Sequence, residues 1–444
     1  MTSEVAGTWI RTPRGTEPVL AAALLTLAPL AAAQAQTLEI GGLVEYQAIG
    51  YFSTPGELDR LGRNQLLVQP ELELALGSRM AGLAALEGRV DGAREDRSRL
   101  YLREAYLDLF LDDFDLRAGR TILRWGRADA LNPTDRFGTR DYTDLLDATE
   151  ERVGQNALVV RWYPGAWNVE GILVPKLRAS WLPADDGRWW PDMPDSVSVP
   201  GSGASRLPAR YGYGEASWPT GGSARTAWGV RASTNTGGWD LSLSWYDGPS
   251  HLPAYAVRTR SDPASGGVDV LLERPYYRLR SLGADFATVL GGVGLHGEAA
   301  WTDPRADGRL PEGAAEPWLH WVVGGDYRVR NVLGERDLFL VAEWSKEVWP
   351  TGDYRPDPLD LTHAFRDALL GRAELSDGFF GSLEVEWAWD LADSGWLFRL
   401  ARRWSPAAGL RARVSLDLPG GDRSSLFGTF RRNRRLHVEI RYER

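Results

Sequence analysis

The chain has 444 residues, which would suit two or three soluble domains, but its composition narrows the possibilities. It contains no cysteine, so disulfides, thiolate metal sites and cysteine nucleophiles are excluded. Lys and Arg number 51 against 60 Asp and Glu, and the net charge of −9 argues against a nucleic-acid partner.

The N-terminal 35 residues read as a secretory signal. Arg11 and Arg14 precede an apolar run from Val19 to Ala33, and Ala33-Gln34-Ala35 forms a small-residue cleavage site. We therefore expect residues 1–35 to be a signal peptide and residues 36–444 to be a single exported domain. A buried N-terminal helix is the alternative. Beyond residue 35, no stretch approaches the roughly 18 apolar residues of a membrane-spanning helix.

From residue 37 onwards, apolar and polar residues alternate with the period of two that is typical of strands with two different faces. In 410–418, for example, Leu410, Ala412 and Val414 alternate with Arg411 and Arg413. The pattern predicts about 18 strands (16–20), with bulges at Arg103-Glu104 and at Arg120. The predicted strands lie near 37–52, 64–76, 81–91, 99–111, 114–124, 156–163, 167–174, 224–235, 238–247, 276–290, 292–302, 317–330, 336–347, 364–375, 378–391, 394–404, 408–418 and a last one ending at 442.

The connections between the predicted strands alternate between short turns and mostly longer loops. Short turns such as 77–80 and 291 are followed by loops such as 125–155, 175–223 and 248–275. Such sorting favours a transmembrane antiparallel β-barrel with short periplasmic turns and long extracellular loops. A soluble β-propeller is the competitor, but the chain has no blade-length repeat.

One face of each predicted strand is apolar and the other is charged. In a bilayer the apolar face must contact lipid, so the charged face lines the lumen. Tryptophans near predicted strand ends suit the aromatic girdles of such a barrel: Trp162, Trp167, Trp301, Trp344, Trp349, Trp396 and Trp404. We expect an integral protein of the outer membrane of a Gram-negative bacterium, with outer-membrane lipid and the barrel insertion machinery as partners.

The loop 125–155 is the candidate constriction, because it is long and highly charged. We hypothesise that it folds into the lumen; the alternative is a solvated extracellular loop. Its candidate pore-lining residues, together with two arginines on the preceding strand end, are Arg120, Arg124, Arg127, Asp129, Asp135, Arg136, Arg140 and Asp141.

Arginines on the last strands supply a candidate basic wall opposite this loop. Arg399, Arg403, Arg411 and Arg413 all fall on the inward face, and Glu71 and Glu73 form an acidic counterpart on an early strand. Arginine suits such a wall because it stays protonated and binds carboxylates or phosphates in a bidentate manner. Cross-strand salt bridges that merely stiffen the sheet are the alternative.

The sequence offers little support for a catalytic, metal-binding or cofactor-binding site. Only two of the five histidines, His296 and His320, face inward on adjacent hairpins, and no serine accompanies them in a nucleophile-elbow context. The stretch 129–147 lacks the spacing of a calcium loop. We therefore expect no enzyme activity, no metal and no cofactor.

The segment 119–152 resembles an uncharacterised family of bacterial outer-membrane porin-like barrels. It contains Gly119-Arg120, Trp125-Gly126, Asn132-Pro133 with Asp135, and then Glu150-Glu151-Arg152 in that family's order. The resemblance implies a channel or envelope-export role. One departure is the C-terminus, which ends Tyr442-Glu443-Arg444 where such barrels usually end in Phe or Trp.

Taken together, these patterns predict an outer-membrane channel that passes an unidentified small solute through an arginine-rich lumen of mixed charge. Two alternatives stay open. The barrel could belong to an export system or to a system that transports lipid or another hydrophobic substrate, or it could act in surface interactions through the loop 175–223.

Overall fold

The structure is a computed structural model. It describes residues 37–53, 61–147, 152–198, 206–262, 267–305, 308, 310, 312–332, 334–350, 360–377 and 381–444. The predicted signal peptide, and Glu150 and Glu151 of the family resemblance, lie outside the described residues.

Eighteen strands form one closed antiparallel barrel, as the alternation predicted. Each strand pairs with its neighbour along the chain, and the last strand pairs with the first, so the described sheet has no free edge. The strands of the barrel are β1 (Thr37–Tyr51), β2 (Leu61–Leu76), β3 (Met80–Asp91), β4 (Arg99–Phe110), β5 (Phe114–Thr121), β6 (Gln155–Trp162), β7 (Trp167–Val174), β10 (Ala227–Thr236), β11 (Trp239–Pro249), β14 (Arg278–Leu290), β15 (Val293–Asp303), β16 (Trp318–Val329), β17 (Asp337–Val348), β18 (Asp367–Ser376), β19 (Gly381–Asp390), β20 (Gly395–Ala407), β21 (Leu410–Gly421) and β22 (Arg435–Glu443).

Four further strands form a separate small sheet within two long connections. They are β8 (Ser196–Val197), β9 (Leu207–Ser217), β12 (Ala256–Asp262) and β13 (Gly267–Pro275). The central pairing, between β9 and β13, is parallel. Plain loops had been expected at 175–223 and 248–275, and that expectation is wrong: these connections are long enough to pair with each other.

The short connections and both ends of the described chain lie at one end of the barrel, here called the turn end. The longer connections lie at the opposite end, the loop end. Two connections at the loop end, 92–98 and 391–394, are nevertheless short. The described helices are single turns at Glu95–Arg97, Leu361–His363, Leu426–Thr429 and Arg431–Asn433. No helix among the described residues is long and apolar enough to cross a membrane.

The two faces of the barrel are the reverse of those in a water-soluble protein. Large apolar side chains are exposed on the outer surface, including Ile40 at 75% and Leu243 at 63%. Charged side chains are buried inside, and Glu87, Asp417 and Arg435 are each 0% exposed. The inward face is therefore charged and the outward face apolar, as the alternation indicated.

The predicted bulge at Arg103-Glu104 is confirmed. The pairing of β3 with β4 shifts register there, because Leu86 pairs with Leu102 and Ala85 with Glu104. The bulge predicted at Arg120 is wrong, since β5 pairs in unbroken register with both β4 and β6.

Gly42 of β1 offers a test of the barrel's close backbone packing. Its φ is +139°, and a Cβ there would lie 2.2 Å from the carbonyl oxygen of Gln69. We expect Gly42→Ala to lower the free energy of unfolding by about 1–3 kcal/mol, because the side chain adds a clash to a backbone conformation that favours glycine. The midpoint of a urea titration in detergent, followed by tryptophan fluorescence, measures this.

Gly50 of the same strand is the matched control. A Cβ there has no neighbour within 4 Å, so Gly50→Ala should leave the midpoint close to that of the unchanged protein. Equal loss of stability in the two variants would contradict the packing described for Gly42.

Candidate functional site

The described part of the connection between β5 and β6, residues 122–147 and 152–154, lies inside the barrel and is called the inner loop below. On one side, its backbone amides are held by carboxylates at the middle of two strands. The amides of Asp129 and Ala130 donate to Glu343 of β17 at 2.6 and 3.0 Å. Those of Arg127 and Ala128 donate to Glu298 of β15. Because both carboxylates sit near the centre of their strands, the inner loop descends well below the loop end.

On the opposite side, two aspartates of the inner loop meet inward-facing arginines. Asp144 and Asp147 lie 3.2 Å from the guanidinium nitrogens of Arg63 on β2. Arg435 of β22 bonds to Asp144 at 2.5 Å and to Asp147 at 2.9 Å. The structure thus brings acids of the predicted constriction loop against arginines of the final strands. We call Arg63, Arg399 and Arg435 the arginine clamp.

The arginine clamp keeps Asp147 ionised although it is largely buried. Burial alone would raise the pKa of Asp147, but the positive charges of Arg435 and Arg63 outweigh it and hold that pKa below its ordinary value. Arg399 adds a hydrogen bond of 2.9 Å from its guanidinium to the carbonyl oxygen of Leu146. Charge-assisted contacts of this kind fix a loop more firmly than neutral hydrogen bonds do.

The start of the inner loop is anchored by aromatic packing. Phe137 lies between Trp125 and Tyr246 of β11, with ring centroids 5.1 and 4.9 Å away in edge-to-face geometry. The indole nitrogen of Trp125 donates to Glu170 of β7 at 2.7 Å. The Trp-Gly pair noted in the sequence therefore holds the loop against the wall.

A cavity of about 670 Å³ lies between the inner loop and the wall formed by strands such as β16 to β20. Six of the predicted residues line it: Arg124, Asp129, Asp135, Arg136, Arg140 and Arg399. Burial lowers the pKa of both Arg136 and Arg140. The pKa of His251, which also lines the cavity, falls to about 3 because of burial and the nearby charges of Arg140, Arg136 and Arg152.

Several other predicted residues are held by ion pairs or hydrogen bonds elsewhere and do not line this cavity. Arg127 bonds to Asp285 at 2.7 Å. Asp141 contacts Arg99 and Arg89. Arg120 is only 5% exposed and donates to Asn156 and to the carbonyl oxygen of Leu102, so it does not face an open passage.

The predicted basic wall is largely a set of cross-strand ion pairs. Arg399 pairs with Asp417 at 2.7 Å and Arg403 with Glu384 at 2.9 Å, and both contacts join neighbouring strands. The alternative of stiffening salt bridges therefore describes these two arginines better than a wall of free charge.

The remaining predicted residues lie towards the turn end. Arg411 is exposed and 3.8 Å from Glu443, whereas Arg413 is buried. Glu71 and Glu73 lie on β2, which β22 and β1 separate from β21. The acidic pair is thus near the arginines of β21, and not opposite them.

The anchors of the inner loop were missed in the sequence. Glu298, Glu343 and Arg63 are these missed anchors, and they hold the loop together with Arg435 of β22. The alternation could place each of these side chains inside the barrel, but nothing in the sequence pairs a strand residue with a loop residue more than 80 positions away.

One predicted girdle residue also lies elsewhere. Trp349 contacts the ring of His363, with centroids 5.7 Å apart, while Trp162, Trp167 and Trp301 are exposed on the outer surface.

A serine–histidine–carboxylate contact does occur inside the barrel. His320 Nε2 is 2.8 Å from Ser345 Oγ, and His320 Nδ1 is 3.6 Å from Glu347. Ser345 is 0% exposed, and its hydroxyl also donates to the carbonyl oxygen of Phe365. The Ser345 hydroxyl is thus bonded both to His320 of β16 and to the connection that follows β17. Among the described residues, no group of three or more His, Asp or Glu side chains could hold a metal ion.

No protein-family model matches the chain, and no curated protein matches it. Among solved structures, the chain is similar to OmpF of Salmonella typhi in complex with daunomycin, with 12% identity, a TM-score of 0.42 and coverage of 93% of this chain and 99% of that one. It is similar to a loop L8 deletion mutant of OmpT, an outer membrane protein of Vibrio cholerae (10% identity, TM-score 0.42, 92% and 99% coverage). It is also similar to a triple mutant of the Rhodopseudomonas blastica porin (10% identity, TM-score 0.43, 92% and 100% coverage).

Arg435 tests how strongly the inner loop is held. Its side chain is 0% exposed and contacts Asp144, Asp147 and Asp417. We expect Arg435→Met to lower the free energy of unfolding by about 3–5 kcal/mol, because three buried carboxylates lose a cation. A urea titration in detergent measures the loss.

Arg411→Met on the adjacent strand is the control. Its side chain is 68% exposed and its ion pair with Glu443 spans 3.8 Å, so the expected loss is below about 1 kcal/mol. Similar losses in the two variants would show that the contacts of Arg435 are no stronger than a surface ion pair.

Proposed function

We propose that the protein is an outer-membrane channel for small solutes whose lumen is narrowed by the inner loop. The observation that carries the proposal is the reversal of the two faces, with apolar residues outside and charged residues inside a closed barrel. Such an outer surface is stable against lipid, and a charged interior is suited to polar solutes.

Exposed aromatic residues support the membrane placement, because they fall in two belts on the outer surface. At the turn end they include Phe114, Trp162, Trp167 and Trp239; at the loop end they include Trp228, Trp245, Trp301, Trp344, Trp389 and Trp396. Aromatic rings prefer the headgroup level of a bilayer, and two belts correspond to its two interfaces. The last strand exposes Tyr442 on the same surface, where the barrel insertion machinery could recognise it.

The passage would run along the 670 Å³ cavity, since the inner loop is held closely against the wall on its other sides. Arg124, Arg136 and Arg140 would meet an entering solute on one side, and Asp129 with Glu343 on another. Opposed fixed charges orient a dipolar or charged solute in a narrow space where screening by water is weak. This role needs no catalytic residue, and we propose none.

A surface-interaction role is the second candidate, favoured by the small sheet of β8, β9, β12 and β13. Its strand β12 pairs with only one described strand, β13, and an edge strand of this kind can pair with a strand of another chain. An export or lipid-transport role would use the same barrel without open conduction.

Leu243 tests the membrane placement. It is 63% exposed near the middle of β11. We expect Leu243→Arg to make folding into the bilayer less favourable by about 2–4 kcal/mol, because a charge near the bilayer midplane is costly on a barrel surface. The folded fraction in lipid vesicles is measured by the mobility difference between heated and unheated samples.

Leu310→Arg is the matched control, because Leu310 lies in the connection between β15 and β16, outside the barrel, and should tolerate the charge. If Leu243→Arg folds into vesicles as well as Leu310→Arg, the outer face of β11 does not contact lipid.

A single introduced cysteine tests the passage, because the chain has none of its own. Arg124→Cys should react with a bulky thiol reagent, and labelling should reduce single-channel conductance in planar bilayers. Arg79→Cys, on the turn between β2 and β3, is the control, where labelling should leave conductance unchanged. Unchanged conductance after labelling at residue 124 would exclude the cavity as the passage. A purified barrel that conducts nothing would refute the channel.

A further inference from the structure

The cavity combines apolar surface with two arginines that form no ion pair with a described carboxylate, and this combination indicates what it binds. Its volume of about 670 Å³ is within the usual range of small-molecule sites. The inference below rests on the proposed function, because it names the class of solute that the channel would recognise.

The carboxylates that line the cavity are already engaged. Each has a basic or donor partner at hydrogen-bonding or ion-pair distance: Asp135 with Arg152 at 2.7 Å, Asp129 with Arg372 at 3.3 Å, Glu343 with His296 at 2.7 Å, Glu347 with His363 at 2.8 Å, and Glu386 with Arg399 at 3.0 Å. A cationic ligand would therefore have to displace an existing partner.

Arg136 is different, because its hydrogen-bond partners are neutral. Its guanidinium donates to Ser281 at 3.3 Å and to Thr302 at 2.5 Å, and it lies 5.8 Å from the ring of Trp318. No carboxylate of the described residues lies within 4 Å of it, nor of Arg124, which is exposed on the same cavity. A buried guanidinium that forms no ion pair is energetically unfavourable, and binding an anion would stabilise it.

The remaining lining is apolar, although it faces the interior of a barrel whose inward positions are mostly charged. Inward-facing Leu370 and Leu397 of β18 and β20 contribute to it, and so do Leu145 of the inner loop and Phe365 and Phe427 of the outer connections. Leu145, Phe365 and Leu397 are only partly buried, so apolar surface is open towards the cavity. This surface is suited to the apolar body of a ligand.

We propose that the cavity binds amphiphilic organic carboxylates, with the carboxylate on Arg136 and Arg124 and the apolar body against Leu145 and its neighbours. A single negative charge suits the site, because Asp135 and Glu347 lie near Arg136 and would oppose a phosphate dianion. Guanidinium groups of this chain already hold carboxylates side-on, as Arg117 holds Asp108 at 2.7 and 2.8 Å.

Isothermal titration calorimetry of the full barrel in amphipol tests the proposal, with empty amphipol as the blank. The probes are decanoate, decanol, decyltrimethylammonium, decyl phosphate and acetate. Decanoate should bind at least about tenfold more tightly than each of the others, since only it supplies both one negative charge and an apolar chain. If decanol binds as tightly as decanoate, the arginines do not contribute to binding. If acetate binds as tightly, the apolar surface does not contribute. If decyl phosphate binds more tightly, the site does not prefer a carboxylate.

Two variants locate the parts of the site. Arg136→Gln should weaken decanoate binding about tenfold and leave decanol unchanged. Leu145→Asn should weaken both. Arg79→Gln, at the far end of the barrel, is the control and should change neither, and the heated-sample mobility shift confirms that each variant is folded. Unchanged decanoate binding by Arg136→Gln would overturn the proposal.

Conductance of the same preparations separates this inference from the channel itself. A barrel that conducts but does not bind decanoate would refute the inference and leave the channel standing. A barrel that binds decanoate through Arg136 but conducts nothing would refute the channel and support the binding site.

Discussion

The closure of the sheet is the constraint on which the rest of the structure depends. Because β22 pairs with β1, no free edge can absorb a change of register, and a slip of one residue would turn a whole charged face outward. The inward positions therefore keep their carboxylates and arginines, which must find partners once water is displaced. The inner loop supplies many of them, through backbone amides on Glu298 and Glu343 and through Asp144 on Arg435. The inner loop and the barrel wall thus form one folded unit.

How much of the structure could be predicted from the sequence depends on how far apart in the chain the interacting residues lie. The number and approximate bounds of the barrel strands were predictable, because the period of two is local and each strand pairs with the next along the chain. The small outer sheet was not, because its central pairing joins β9 to β13 across two different connections and is parallel. The position of Arg120 could not be predicted for a similar reason. Its partners, Asn156 and the carbonyl of Leu102, lie on neighbouring strands and can be identified only when the register is known.

In the candidate site, too, local features could be predicted from the sequence and long-range contacts could not. Composition and length singled out the inner loop, and the structure places it in the lumen. The expected free positive charge of Arg399 and Arg403 is absent, because their cross-strand neighbours Asp417 and Glu384 neutralise it. Residue type alone cannot distinguish an arginine that awaits a ligand from one that balances a neighbour. Arg136 looked the same in the sequence and differs because its guanidinium donates to the hydroxyls of Ser281 and Thr302 and not to a carboxylate.

These pairings bear on how selectivity could arise in such a lumen. The inner loop is held by charge-assisted bonds on two opposite sides, so moving it would remove two backbone donors from Glu343 on one side or two carboxylates from Arg435 on the other. That cost favours a passage of fixed width over one that opens and closes by swinging the loop. In a fixed passage, discrimination depends on the difference between paired and unpaired groups along the wall. A paired carboxylate attracts a solute weakly, whereas an unpaired guanidinium such as that of Arg136 attracts an anion strongly, and nearby apolar surface then favours those anions that carry an apolar body.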